Sequence, residues 1–114
     1  MLYFSKGSKN TIISTEELKI AIEKAILKIG DKKSVLIIPP DFTRFHSQAG
    51  LITQHLYQFY GNKVNDILPA LGTHFKINET ERKHMFGDIP ENLFRIHNWK
   101  EDLTTLGEVP NEYI

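Results

Sequence analysis

The chain contains no cysteine. That absence removes disulfides, thiolate nucleophiles, iron–sulfur clusters and thiolate zinc sites together. A metal would have to rest on carboxylates and on the five histidines. No two of these have the His-Glu-x-x-His spacing that puts two ligands on one helical turn, so no metal ligand is assigned in this chain. A long apolar run is missing too, and with it any membrane-spanning helix. The opening residues, MLYFSKGSKN, lack the apolar core and small-residue cleavage site of a signal peptide. The expected compartment is therefore the cytoplasm. Neither sign of charge is in excess: 14 Lys and Arg balance 14 Asp and Glu. That balance argues against a nucleic-acid binder working through bulk electrostatics. With no aromatic repeat beside them, Arg95 and Trp99 of RIHNW are expected at packing and surface positions rather than as a base-stacking platform.

What remains is the composition of an ordinary globular domain. The 114 residues are 40% hydrophobic and 25% charged, which suits one compact domain. LYF, near the start, suggests a short strand. STEELKIAIEKAILKIG reads as a helix. Ser14 is its N-cap, Glu17 completes a capping box, Leu18, Ile22, Ala25, Ile26 and Ile29 share a face, and Gly30 stops it. SVLIIPP is a buried strand by its β-branched run. A second helix, carrying Leu51, Ile52, His55, Leu56, Phe59 and Tyr60, ends at Gly61-Asn62. VNDILPALG is a second strand, INETERKHMFG a helix capped by Asn78, and NLFRIHNW a third strand. The tail TTLGEVPNEYI is expected to be extended, with a turn near Gly107. Such alternation predicts an α/β fold: an open, mostly parallel sheet with helices on both faces, the three-layer Rossmann-like arrangement.

That topology has a functional corollary, because ligands of open α/β sheets gather outside the carboxyl ends of the strands. Two polar loops leave strand ends here, DFTRFHS and GTHFKINET. Adjacent parallel strands would bring Asp41, Thr43, Arg44 and His74 to one edge. A guanidinium at Arg44 can grip a carboxylate or phosphate with two hydrogen bonds, or it can form a surface ion pair. Asp41 can cap the turn after Pro39-Pro40 or orient Arg44. Thr43 and Ser47 can cap the second helix or offer hydroxyls to an anion. Gly72 permits an unusual turn beside Thr73 and His74, and an imidazole there can act as a general base. His97, at a strand end, is a candidate to line the cleft. His46, His55 and His84 are expected to be bystanders or packing residues, and Phe42 and Phe45 to cover the cleft or the core beneath it.

Three segments taken in order, IIPPDFTR, ILPALGTH and FRIHNWKEDLTTLGEVP, resemble the N-terminal part of the nickel-pincer-nucleotide-dependent lactate racemase family. The similarity runs from about Val35 to the C-terminus. It implies a 2-hydroxy-acid racemase or epimerase, in which the pincer cofactor takes a hydride from the substrate carbon and returns it to either face. Histidines act on the hydroxyl proton. His74 matches one of the two catalytic histidines, Arg44 the arginine that contacts substrate and cofactor, and Asp41 and Thr43 the same cofactor-facing loop. His97 matches a recurring position without assigned chemistry. Phe45 and Phe75 stand where the family commonly has proline and arginine, which suggests a divergent subgroup acting on a larger sugar acid. The family's second catalytic histidine, its covalent lysine and its nickel-ligating histidine have no match here. Residues 1–114 are accordingly expected to be one α/β domain, the N-terminal part of a longer two-domain enzyme. By itself this part is expected to bind no nickel-pincer nucleotide, to be inactive, and to self-associate through exposed sheet edges. The competing expectation is a non-enzymatic α/β module that binds a small anion or docks to another chain.

Overall fold

The computed structural model describes residues 1–113. Its regular elements are α1 (Thr15–Ile29), β1 (Val35–Ile37), α2 (Ala49–Tyr60), β2 (Val64–Ile67) and α3 (Glu79–Phe86). Short 3-10 turns occupy Phe42–Ser47, Gly61–Lys63, Glu91–Leu93 and Asn111–Tyr113. No helix among the described residues is long and apolar enough to cross a membrane.

Helix α1 begins and ends as its sequence dictates. The Ser14 side chain accepts from the Glu17 amide, the Glu17 carboxylate accepts from the Ser14 amide, and Gly30 closes the last turn. The same reciprocal cap, Asn78 with Glu81, starts α3. The LYF segment does not pair as a strand. It runs along α1 instead, where Lys28 donates to the Tyr3 carbonyl at 3.0 Å and Lys6 pairs with Glu17. Among the described residues no strand pairs with its backbone, so it has no ladder to join.

Strands β1 and β2 are parallel, with Ile37 opposite Ile67 and an irregularity between Val35 and Leu36. The pairing extends past both strands to a bridge between Pro40 and Ala70. The third expected strand contracts to one parallel bridge, Ile67 with Phe94, supported by the Arg95 amide donating to the Ile67 carbonyl at 2.8 Å. Asn98 then folds the chain into a turn, accepting from the Lys100 amide while its own amide donates to Asp102, and this ends the extended run. Around Gly107 no turn forms; the tail's turn lies at Asn111–Tyr113.

Because Ile67 pairs with both Ile37 and Phe94, β2 is central and the strands lie in chain order. Crossovers of one hand that progress in one direction put their helices on one face. Helices α2 and α3 do pack together: a Cβ on Gly50 would lie 2.2 Å from the Met85 carbonyl oxygen, so only glycine permits that approach. One core gathers Ile26 of α1, Tyr60 of α2, Met85 and Phe86 of α3, and Ile37 and Ile67 of the sheet. Phe86 and Ile67 are fully buried, each contributing about 1.5–3 kcal/mol of transfer free energy. Buried Arg82 ties α3 to the third strand, donating to the Ile89 carbonyl and lying over the Phe94 ring.

The opposite face of the sheet is bare: Leu36 and Ile38 are 55% and 60% exposed. The observed architecture is thus mixed α and β, a two-stranded parallel sheet with helices packed on one face. Helices reach both faces only where strand order reverses, and no reversal occurs among the described residues.

Candidate functional site

The bridge between Pro40 and Ala70 decides where the two polar loops start. Asp41 and Leu71 leave the sheet side by side, the Ala70 amide having donated to the Pro39 carbonyl at 2.8 Å. The first loop is wound into a 3-10 turn. Asp41 is its N-cap, and its Oδ1 accepts from the Thr43 amide at 3.2 Å and from the Thr43 hydroxyl at 2.5 Å. The turn is broken at Arg44, whose φ of −106° leaves the helical region. Gln48 in the left-handed conformation then redirects the chain into α2. The Ser47 hydroxyl accepts from the Ala49 amide.

The second loop turns on Gly72, whose φ of +58° is a left-handed value that side chains resist. The turn closes where the His74 amide donates to the Leu71 carbonyl at 2.9 Å. It delivers the imidazole to the first loop: His74 Nδ1 lies 2.5 Å from Asp41 Oδ2. The contact joins residues 33 apart in sequence. The carboxylate side chain is 6% exposed and the imidazole 56%, so a buried group holds an accessible one.

Asp41 is ionised. Burial pushes its carboxyl up, but the hydrogen bonds from Thr43 and His74, with the charge of His74, outweigh burial and hold it below the ordinary value. An ionised carboxylate only accepts, so Nδ1 carries the proton, and in the neutral ring Nε2 is left with a free lone pair. Nε2 is then the atom available to take a proton from a ligand.

A cavity of ≈ 430 Å³ opens between the loops, with Asp41, Thr43, Thr73 and His74 among its lining and Phe42 and Ile77 beside them. Ligand sites of this size typically combine apolar walls with few convergent polar groups. The other expected residues lie apart from it. Arg44 is exposed and outside the lining. Gly72 shapes the turn without touching the cavity, and His97, half-buried beyond the Phe94 bridge, does not reach it. Phe42 serves both cleft and core, whereas Phe45 packs against the core and stacks on His84, with ring centroids 4.6 Å apart. His46 meets Phe45 in a T-shaped arrangement, the ring centroids 5.3 Å apart. His55 packs half-buried, its ring nitrogens enclosed without a hydrogen-bond partner among the described residues. Arg95 pairs with Asp66 and Lys100 lies over Trp99, so both RIHNW residues are engaged at the surface.

Two lining residues are not among the expected site residues: Phe75, marked in the sequence only as a departure from the family pattern, and Lys76, which carries no signal beyond its place after His74. Their role depends on how the second loop folds back over Asp41. No family model, no curated protein and no solved structure matches this chain.

Proposed function

We propose that this chain is the N-terminal portion of a 2-hydroxy-acid racemase or epimerase, in which His74 exchanges the hydroxyl proton and Asp41 holds the imidazole for that task. The observation that carries the reading is the Asp41–His74 contact at the mouth of a cavity. The motifs that resemble the lactate racemase family, Asp-x-Thr-Arg and Gly-x-His, are the segments that meet there. Asp41 keeps the proton on Nδ1, Nε2 removes the substrate hydroxyl proton, and the adjacent negative charge stabilises the imidazolium that forms. Returning that proton to the carbonyl oxygen as the hydroxyl re-forms completes the exchange at this end.

The nickel-pincer nucleotide belongs to the reading through the family resemblance alone. The donors of this chain do not fit nickel: among the described residues no three His, Asp or Glu side chains stand close enough to hold a metal ion. No step is therefore derived through that group. In this reading the metal ligand and the covalent lysine come from the rest of a longer enzyme. Arg44, which matches the family's substrate-contacting arginine, is exposed and outside the lining of this cavity, and in this reading it meets substrate together with the remainder of the longer enzyme. The same remainder supplies the second helical layer over Leu36 and Ile38, completing the three-layer Rossmann-like form, and the enzyme works in the cytoplasm.

The test is isomerisation of 2-hydroxy acids by the full-length, cofactor-loaded protein. Single enantiomers are expected to racemise, and His74→Ala to abolish the reaction. Full activity in that variant contradicts the role of His74. The exposed sheet face supports a second reading, an interaction module that docks through Leu36 and Ile38. A 114-residue chain that is dimeric on size-exclusion chromatography, and monomeric after Ile38→Asp, favours that reading.

A further inference from the structure

The cavity has an unassigned cation and an unassigned wall. Lys76 lines it and forms no ion pair among the described residues. The carboxylates that share the lining are already engaged: Asp41 with Thr43 and His74, and Glu81 with the Asn78 amide at the start of α3. Lys76 is thus the ammonium left to meet an incoming anion, in the same lining as His74. Phe75 lies between them in sequence, lines the same cavity, and is 97% exposed. A fully exposed phenyl ring at a cavity mouth leaves apolar surface that a ligand can cover, and Phe42 and Ile77 continue that wall.

We propose that Lys76 is the anion contact of this cavity and Phe75 its specificity wall. The ligand is then a 2-hydroxy carboxylate whose substituent is apolar and larger than methyl. The hydroxyl meets His74 Nε2, the carboxylate meets Lys76 Nζ, and the substituent lies against Phe75. This rests on the hydroxy-acid reading and refines it, because the family resemblance alone points to a larger sugar acid and to Arg44.

The test is NMR titration of the 114-residue chain, following the signals of His74 and Phe75. The probes are 2-hydroxy-3-phenylpropanoate, its neutral amide, lactate, gluconate and 3-phenylpropanoate, against wild type, Lys76→Met, Phe75→Ala and Arg44→Met. Expected is tightest binding of the phenyl hydroxy acid, weakened at least tenfold by Lys76→Met and about threefold by Phe75→Ala. The amide should be weak and insensitive to Lys76. If Arg44→Met weakens the acids and Lys76→Met does not, the anion contact is overturned while the hydroxy-acid reading stands. If gluconate binds tightest and Phe75→Ala has no effect, the apolar wall is overturned. If 3-phenylpropanoate matches its hydroxy analogue while both depend on Lys76, the contact stands and the hydroxy-acid reading fails. If none of the acids moves either signal, the proposal is overturned.

Discussion

The two loops that form the cavity are built in opposite ways. The first, from Asp41 to Gln48, is anchored at three residues: buried Asp41 caps it, and Phe42 and Phe45 pack it onto the core. The second, from Gly72 to Ile77, lies largely exposed and is fastened by the Leu71–His74 turn, by the imidazole's bond to Asp41 and by Ile77 against the core at its far end. The firm loop carries the orienting charge, and the loose one carries the groups that meet a ligand. A reactive side chain gains precision when a rigid neighbour fixes it.

Substitutions can break the contrast, beginning with the firm loop. Asp41→Ala removes a buried acceptor from three donors and should cost about 3 kcal/mol of unfolding free energy, measured by urea denaturation. Phe42→Ala, partly buried against the core, should cost about 2 kcal/mol in the same assay. In the loose loop, Gly72→Ala forces a side chain into a left-handed backbone and should cost about 1 kcal/mol. Phe75→Ala touches no core and should stay within about 0.5 kcal/mol of wild type. A loose-loop variant costing more than a firm-loop variant would reverse the comparison.

Acid should act mainly through the firm loop as well. Hydrogen bonds hold the Asp41 carboxyl below its unfolded value. Its stabilisation is therefore complete above about pH 4 and fades as pH falls through the folded value. Below about pH 4 the stability gap between wild type and Asp41→Asn should narrow as pH falls; a gap that widens over that range contradicts the assignment.

Much of this fold is legible in the sequence where local chemistry decides the outcome. Ser14 with Glu17 and Asn78 with Glu81 cap their helices through contacts three residues apart, and Gly30 and Gly61 stop theirs. The third strand and LYF look like strands by composition, yet a strand needs a partner on its own hydrogen-bonding edge, and composition does not say whether one arrives. Strand order, which leaves Leu36 and Ile38 uncovered, is likewise a tertiary property. At the site, topology alone brings the loops of Asp41 and His74 to one edge. Reading Asp41 as either a turn cap or an orienting group posed a false choice: one oxygen caps Thr43 and the other holds an imidazole rather than Arg44. Lys76 escapes sequence reasoning, and Phe75 shows only as a departure from the family pattern, because nothing local ties an exposed loop residue to a cavity formed by a distant turn.

The central claim is that Asp41 fixes the proton of His74 on Nδ1. Long-range ¹H–¹⁵N correlation of the imidazole, at a pH where the ring is neutral, tests it directly. The account predicts an Nδ1–H tautomer with an unprotonated Nε2, lost in Asp41→Asn; a wild-type ring carrying its proton on Nε2 would contradict it.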